Sequence, residues 1–266
     1  MCPPTAYGVK YEINPWMHIA RQPDLDLAAS QWRKLYQTLT ENAGATVELI
    51  EQALETPDMV FTANAGLVVG NMAVVSRFRH AERQGEERWF RAWFEAAGYN
   101  VLTLPDDCYF EGEGDALMAG DRLVAGYLKR SDIASHMRIA DWLHIEVLSL
   151  ELTDDRWYHL DTCFFPLDGA TVAYHPEAFD RYAREVIRSN FQTIEVNAEE
   201  AARFACNAVS VGNSVVLPAG CPELAGRLEQ LGRTVFSVDL SEFLKAGGAA
   251  KCLALYAPEP VAAVQP

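Results

Sequence analysis

Five polar residues recur at nearly equal intervals along the chain of 266 residues. The intervals between neighbours are 47, 48, 48 and 45 residues, a regularity that a random scatter of polar residues would not usually produce. If the chain consists of repeated units, these residues occupy the same loop in each unit and should face one common site. They are Asn64, Glu111, His159, Asn207 and Cys252.

Cys252 and His159 are the reactive groups of this set. Cys252 follows a Gly-Gly turn and the cation Lys251. A nearby positive charge lowers the pKa of a thiol and raises its thiolate fraction, so we expect Cys252 to be a nucleophile. Histidine exchanges protons near neutral pH, so His159 could protonate a leaving amine and then take a proton from water.

Carboxylates near the same positions indicate what the nucleophile attacks. Glu111 is one of the five regularly spaced residues, which we call the fivefold register, and Asp161 follows His159 by two residues. Carboxylates match the paired N–H donors of a planar guanidinium, and Asn64 could hydrogen-bond the same cation without adding charge. A thiolate, a histidine and two carboxylates together favour attack on an amidine-like carbon.

Each of these residues also has a structural interpretation. A lone cysteine is more often packed in a core than reactive, and His159, between Tyr158 and Leu160, could be a buried histidine with satisfied hydrogen bonds. The acidic run over residues 111–115 could be a solvated turn. The common register favours the chemical interpretation for the residues that share it. Four other cysteines fit core positions: Cys108, Cys163, Cys206 and Cys221.

Composition and charge exclude several classes of protein. Half of the residues are hydrophobic and 22% are charged, which suits a large folded core and excludes disorder. The 37 acidic and 22 basic residues give a formal net charge of −15. That balance argues against nucleic acid and against an anionic membrane surface as partners, whereas a small cationic substrate fits it.

Other motifs that would indicate a cofactor or a cellular address are missing from the sequence. The first residues have no apolar signal region and no run of about 18 apolar residues occurs, so we expect a cytoplasmic protein. Six scattered cysteines without CxxC or HExxH spacing predict neither a disulfide framework nor a metal site. Gly112 and Gly114 lack the third glycine of a nucleotide loop, so no cofactor is expected. A homo-oligomer remains compatible with the sequence.

Four short apolar runs, each interrupted by a two-residue turn signal, predict β-hairpins. After each run, apolar residues at helical spacing predict a helix, and a short β-type segment follows it. The helix after the first hairpin contains Trp89, Phe90, Trp93 and Phe94, which we expect in the core. In the helix after the third hairpin, Tyr182, Ala183 and Ile187 belong to the same kind of apolar pattern. The predicted hairpins span residues 67–76, 116–127, 164–174 and 208–218, and the later strands span 100–104, 146–150, 193–196 and 234–238.

A fifth unit can be assembled from the two ends of the chain. Residues 253–256 and 8–13 would form its hairpin, residues 28–42 its helix and residues 46–50 its last strand. The prediction is an α/β fold, a fivefold pseudo-symmetric propeller of hairpin-helix-strand units closed into a ring by both termini. It is expected to be one catalytic domain over residues 1–266, ending in a frayed tail at 257–266.

Three motifs around these residues resemble those of the guanidino-group-modifying enzyme superfamily. They are Phe-Glu-Gly-x-Gly-Asp at 110–115, His-Leu-Asp-Thr at 159–162 and Gly-Gly-x-x-x-Cys at 247–252. The resemblance spans essentially the whole chain and implies the pentein fold, a fivefold α/β propeller. Cys2-Pro3-Pro4, residues 12–17 and Phe-Thr-Ala-Asn-Ala-Gly at 61–66 make the catalytic module of bacterial arginine dihydrolases the most similar.

The resemblance implies a role for each matching residue. It makes Cys252 the nucleophile, His159 the general acid and base, and Glu111 and Asp161 the carboxylates that bind the guanidinium. Asn64 stands where arginine deiminases carry Asp and dihydrolases carry Asn, which favours two successive hydrolyses. Lys251 departs from the His or Arg that many relatives have before the cysteine. The resemblance further implies three substrate contacts, from Arg83 and Arg130 to the α-carboxylate and from Asn14 on the N-terminal loop.

The implied activity is hydrolysis of L-arginine to ornithine, two ammonia and carbon dioxide, without metal or organic cofactor. The alternatives are a deiminase or dimethylarginine dimethylaminohydrolase that stops at citrulline, and an amidinotransferase that uses an amine acceptor. A non-enzymatic binding protein on the same propeller, like the ribosome anti-association factors, would lack the Cys, His and Glu set. Some bacterial relatives carry a second, cyclodeaminase-like domain, and the sequence ends before such a domain.

Overall fold

The computed structural model describes residues 1–260, which contain four three-stranded sheets of the same design. In each sheet the first two strands form an antiparallel hairpin, and the third strand pairs parallel with the second. The predicted hairpins and later strands are confirmed. The strands are β1 Gly66–Val69, β2 Met72–Val75, β3 Asn100–Thr103, β4 Ala116–Ala119, β5 Arg122–Tyr127, β6 Glu146–Glu151, β7 Phe164–Pro166, β8 Thr171–Tyr174, β9 Gln192–Glu195, β10 Val209–Val211, β11 Ser214–Pro218 and β12 Thr234–Val238.

One main helix joins the second and third strand of each sheet, because parallel strands need a crossover connection. These are the third, fourth, fifth and seventh helices of the chain, and the first helix precedes all strands. The helices are α1 Leu25–Gln37, α2 Ala81–Gln84, α3 Glu87–Ala96, α4 Ile133–Leu143, α5 Arg181–Asn190, α6 Ala198–Ala201, α7 Pro222–Gln230 and α8 Ser241–Leu244.

The hairpin turns follow from their glycines in three of the four sheets. Gly70, Gly120 and Gly212 have φ values of 56°, 68° and 57°, a left-handed conformation that two-residue turns require. The third hairpin differs from its predicted two-residue turn. Its loop is longer, and Asp168 accepts hydrogen bonds from the backbone of Ala170 and Thr171 instead.

The predicted apolar helix faces are partly wrong at their edges. Phe90 and Phe94 are buried, but Trp89 is 40% exposed, because it lies beside the buried stripe and its ring stacks under the Arg88 guanidinium. Tyr182 of α5 is 70% exposed. That helix begins only after its Asp180 cap and turns Ala183 and Ile187 inward.

The fifth unit is only partly as predicted. Helix α1, extended by a π-helical turn at Thr38–Asn42, accounts for the predicted helix at 28–42. Residues 8–13, 46–50 and 253–256 form no strand in the described chain, so the predicted hairpin between the two ends is wrong.

Backbone groups in these end segments bind partners other than a neighbouring strand. The carbonyl of Val9 accepts from Gln22 Nε2, and that of Ile13 accepts from Arg130 Nη2. The N–H of Leu253 donates to Ala249 within a tight turn that carries Cys252. A strand here would have to give up these contacts.

The two ends of the described chain pack together through side chains. Tyr7 stacks on Phe243 at 5.0 Å between ring centroids, and its hydroxyl donates to the carbonyl of Glu242. In the predicted tail, the carbonyl of Pro258 accepts from Tyr99, and residues 261–266 lie outside the described residues. Among the described helices, none is long and apolar enough to cross a membrane.

Candidate active site

Four residues of the fivefold register lie in loops just before the first strand of a unit, and Cys252 lies in the turn before residues 253–256, which form no strand. Three of these loops contain single 3₁₀ turns, at Thr62–Ala65, Gly112–Gly114 and Leu160–Thr162, and their side chains are buried. Gly112 has φ +61°, and a Cβ there would lie 2.7 Å from Gly66 O and 2.8 Å from Ala63 O. Only glycine lets these two loops approach so closely.

Glu111 and His159 form a buried pair at the centre of the site. Glu111 Oε2 accepts from His159 Nε2 at 2.7 Å and from Arg130 Nη1 at 3.0 Å, and Oε1 accepts from the backbone of Arg79. Burial alone would raise the pKa of Glu111, but the Arg130 cation and the His159 hydrogen bond outweigh it and hold that pKa well below its usual range. Glu111 is therefore an ionised carboxylate.

Cys252 lies beside Asp161 and Asn207. Its Sγ is 3.2 Å from Asp161 Oδ2 and 3.1 Å from Asn207 Nδ2. The other carboxylate oxygen of Asp161, Oδ1, is buried and has no hydrogen-bond partner. An unpartnered buried carboxylate oxygen is costly, and it marks a place for a donor that the protein itself does not supply.

The thiol is held in its neutral form, whereas the neighbouring carboxyl titrates near neutral pH. Burial raises the pKa of Asp161 to about 7, and Lys251 offsets only part of this effect. Burial and then the Asp161 carboxylate raise the pKa of Cys252 well above its usual value. The prediction that Lys251 lowers this thiol pKa is wrong, because Lys251 Nζ turns to Glu113 at 2.6 Å and to the carbonyl of Ala254.

Asn64 lies next to Glu111 and is fixed by Arg83. Asn64 Nδ2 donates to the carbonyl of Glu111, and its Oδ1 accepts from Arg83 Nη1 at 2.7 Å. Arg83 is itself buried, with two hydrogen bonds to Glu86 and one to the carbonyl of Asp58. Most of its donors are thus already bound inside the protein.

Of the other two predicted substrate contacts, Arg130 lies beside Glu111 and Asn14 lies on the N-terminal loop. Arg130 lies over the Tyr158 ring at 4.8 Å, and its Nη2 donates to the carbonyl of Ile13. Asn14 accepts from the backbone of Trp16 and donates to the carbonyl of Ala246, so both ends of its amide are engaged. Asn14 thereby fastens the N-terminal loop to the segment before the Gly-Gly turn.

Sequence reasoning gave no role to several buried carboxyl groups, among them Asp58 and Asp115. Asp58 is buried near Arg83, and its Oδ1 has no partner. Asp115 accepts from Ser131 Oγ and from the backbone of Leu160, which ties the Glu111 loop to the His159 loop. The available signal for Asp58 was an isolated charge in the apolar run 57–61, and Asp115 had been placed within a turn of 111–115.

The protein is a guanidino-group-modifying enzyme of the pentein fold. Its sheets repeat one design, and its site combines the buried Cys252 with His159, Glu111 and Asp161. The chain belongs to the dimethylarginine dimethylaminohydrolase family. Its residues 13–256 match the model of the eukaryotic N,N dimethylarginine dimethylhydrolases. The family comprises hydrolases that act on C–N bonds of linear amidines.

Individual relatives cover nearly all of the chain. The bifunctional arginine dihydrolase/ornithine cyclodeaminase ArgZ of Synechocystis sp. is 50% identical over 98% of the chain, which spans 38% of the length of ArgZ. The N(G),N(G)-dimethylarginine dimethylaminohydrolase of Mycobacterium tuberculosis is 44% identical over 96% of the chain and 84% of its own length.

A solved structure matches the fold of the whole chain. It is a variant of the N-terminal domain of ArgZ, covalently bound to a reaction intermediate. It has a TM-score of 0.94 and 49% identity, and the match covers 98% of this chain and 97% of that one.

Proposed function

We propose that the protein is an arginine dihydrolase, which converts L-arginine to ornithine, two ammonia and carbon dioxide through a covalent Cys252 intermediate. The buried, unpartnered Asp161 Oδ1 beside the Cys252 thiol carries this proposal, because it offers a cation-binding oxygen next to the nucleophile. Similarity to ArgZ and to the covalent complex of its N-terminal domain supports the proposal.

The guanidinium would lie between the two halves of the site. Asp161 Oδ1 accepts N–H donors from one side, and Glu111 and the Asn64 amide face it from the other. The ionised Glu111 also keeps His159 oriented through Nε2. Binding of the cation beside Asp161 favours ionisation of the Cys252 thiol, because a positive charge stabilises the thiolate.

The rest of the substrate needs partners for its charged ends. Arg130 is the proposed ligand of the α-carboxylate, and the unpartnered Asp58 Oδ1 suits the α-ammonium group. Arg83 is better assigned to holding Asn64 than to binding the carboxylate, since Glu86, Asp58 and Asn64 already occupy its donors. Asn14 would close the N-terminal loop over the substrate.

In the first hydrolysis the Cys252 thiolate adds to the guanidinium carbon. His159 gives a proton to one amino group, which leaves as ammonia, and an S-alkylthiouronium remains on the enzyme. His159 then takes a proton from water, the hydroxide adds to the same carbon, and the thiolate leaves. The product at this point is citrulline.

In the second hydrolysis citrulline stays bound and the thiolate attacks the ureido carbon. A second ammonia leaves with a proton from His159, and an S-carbamoyl intermediate forms. Water then releases the thiolate and gives an N-carboxylated ornithine, which loses carbon dioxide. The neutral Asn64 suits this step, because the ureido group is uncharged and could not balance the charge of a further carboxylate beside it.

Product stoichiometry tests the proposal. Purified protein is incubated with L-arginine, and ammonia, citrulline, ornithine and carbon dioxide are measured over time. We expect two ammonia and one carbon dioxide for each ornithine, and no turnover in Cys252→Ser. A matched control, Cys108→Ser, changes a buried cysteine outside the site and should keep the activity. Full activity in Cys252→Ser would refute the covalent mechanism.

A second candidate is a hydrolase that stops at citrulline. The match to the eukaryotic family model and the 44% identity with the Mycobacterium protein favour it specifically. Such an enzyme would release one ammonia from arginine, or dimethylamine from dimethylarginine, and accumulate citrulline. Quantitative conversion of arginine to citrulline without ornithine would replace the dihydrolase proposal with this one.

A further inference from the structure

Asn207 is the one member of the fivefold register to which neither the sequence motifs nor the proposed steps give a role. It is fully buried in the loop before β10. Its backbone N–H donates to the carbonyl of Phe204 at 2.8 Å, and Phe204 has a φ of +61°. A bulky residue rarely adopts that conformation, so the turn is held in place by its surroundings.

The side chain of Asn207 contacts the candidate nucleophile on two sides. Its Nδ2 donates to Cys252 Sγ and to the carbonyl of Asp161, each at 3.1 Å. Its Oδ1 accepts from the backbone N–H of Cys252 and of Ala249, also at 3.1 Å. The Asn207 backbone carbonyl accepts from Lys251 as well, so one residue fixes the whole turn.

We propose that Asn207 is a positioning residue that holds Cys252 toward the substrate and stabilises its thiolate by donating Nδ2–H to Sγ. This role rests on Cys252 being the nucleophile of the proposed function. A hydrogen bond donated to an anion favours the charged form, and it acts more strongly in a buried site than in water.

Two hydrogen bonds lower the pKa of Cys252, one from the Ala249 backbone N–H and one from the Asn207 side chain. The carboxyl group of Asp161 lies 3.2 Å from Sγ. Tyr158 is a second titratable neighbour that interacts with Cys252. Neither supplies positive charge, and the Lys251 ammonium is bound to Glu113. Before the substrate arrives, Asn207 is therefore the side chain that donates an N–H to the sulfur among the described residues.

Alkylation of Cys252 tests this role without relying on turnover. The rate of reaction with iodoacetamide is measured at Cys252 by mass spectrometry of its peptide, between pH 7 and pH 10. Asn207→Leu removes the donor without adding charge, and Asn207→Asp keeps an acceptor for Cys252 N and Ala249 N. Asn213→Asp makes the same charge change in the exposed turn of the next hairpin and serves as the control.

We expect both Asn207 variants to move the alkylation profile to higher pH by about one unit, which makes the reaction about tenfold slower at pH 8. Asn213→Asp should follow the wild type. A purely structural role predicts the opposite, because a loosened turn would expose Cys252 and speed its alkylation. If Asn207→Leu does not fold, Asn207→Ala provides the same comparison.

An Asn207→Leu profile that coincides with the wild type, or lies at lower pH, would overturn the proposal. This outcome is separate from failure of the proposed function. Wild-type protein that releases no ammonia from arginine would refute the dihydrolase activity, whereas the alkylation profiles would still decide whether Asn207 stabilises the Cys252 thiolate.

Discussion

The carboxyl group of Asp161 and the thiol of Cys252 control each other's charge. They lie 3.2 Å apart in a buried site, and two adjacent anions there would repel each other. Burial keeps the pKa of Asp161 near 7, so the free site carries less negative charge than its residue types suggest. In the proposed function, the guanidinium of arginine would supply the missing cation and let both groups ionise.

This coupling predicts that arginine binding depends on pH. Asp161 is an acid with a raised pKa of about 7, so it is neutral below that pH and ionised above it. In Cys252→Ser, which we expect to bind arginine without turnover, the dissociation constant for arginine should fall as pH rises from 6 to 8. Below pH 7 the dissociation constant should change by at most about tenfold per pH unit, and calorimetry measures it.

Asp161→Asn in the same background is the control for this effect. It should bind arginine weakly and with little dependence on pH, because the amide carries no charge in either condition. A pH dependence that survives in Asp161→Asn would assign the effect to another group and contradict this account of the site.

At the scale of elements, close loop packing positions the candidate catalytic side chains. The loop of Glu111 crosses the loop of Asn64 at Gly112, where a Cβ would meet three backbone atoms of Ala63 and Gly66 at 2.7 to 2.8 Å. Backbone atoms cannot move aside as a flexible side chain does. The position of Glu111 therefore depends on the absence of a side chain at Gly112, its neighbour in the chain.

Gly112→Ala should lower both stability and activity. Gly70→Ala is a matched control, because Gly70 has φ +56° but nothing within 4 Å of the added Cβ. The left-handed backbone costs about 1–2 kcal/mol in either variant. Gly112→Ala should be less stable than Gly70→Ala in urea unfolding, and it alone should lose arginine turnover. Equal stability and turnover in the two variants would contradict the role of the loop crossing.

The elements of the four complete units could be predicted because their local signals agree with one another. Gly-Asn and Gly-Asp turns, alternating apolar strands and amphipathic helices all specify the same unit, so β4 and β5 have the predicted limits. The exposed Trp89 and Tyr182 show the limit of this reasoning. Helical spacing gives a stripe of positions, and only tertiary packing decides which side of the stripe is covered.

Spacing also predicted which loops meet, but it could not predict the charge states within them. The register brought Glu111, His159 and Cys252 to one end of the units. The raised pKa of Asp161 and the turn of Lys251 toward Glu113 depend on burial and on distances of a few ångström. Asp58 was missed because an isolated charge in the apolar run 57–61 does not show that its carboxyl oxygen is buried and unpartnered.

At the scale of the whole molecule, the unit made from both ends differs from the other four. It contributes the Cys252 turn and the loop with Asn14, yet its end segments are fixed mainly by side-chain contacts. Tyr7 on Phe243 and the Asn14 amide on Ala246 connect the two ends of the described chain. Such contacts leave more backbone N–H groups outside strand ladders, which makes local opening easier.

Amide hydrogen exchange should detect this difference. Residues 46–49 occupy the position of a third strand without its ladder, so they should exchange faster than β9, the equivalent strand of a complete unit. If arginine closes the N-terminal loop, binding to Cys252→Ser should slow exchange in residues 8–17, where Arg130 and Asn14 hold the backbone, and leave 46–49 unchanged. Exchange in 46–49 as slow as in β9 would instead mean that a hydrogen-bonded strand completes the fifth unit in solution, and that the ring is closed by backbone pairing.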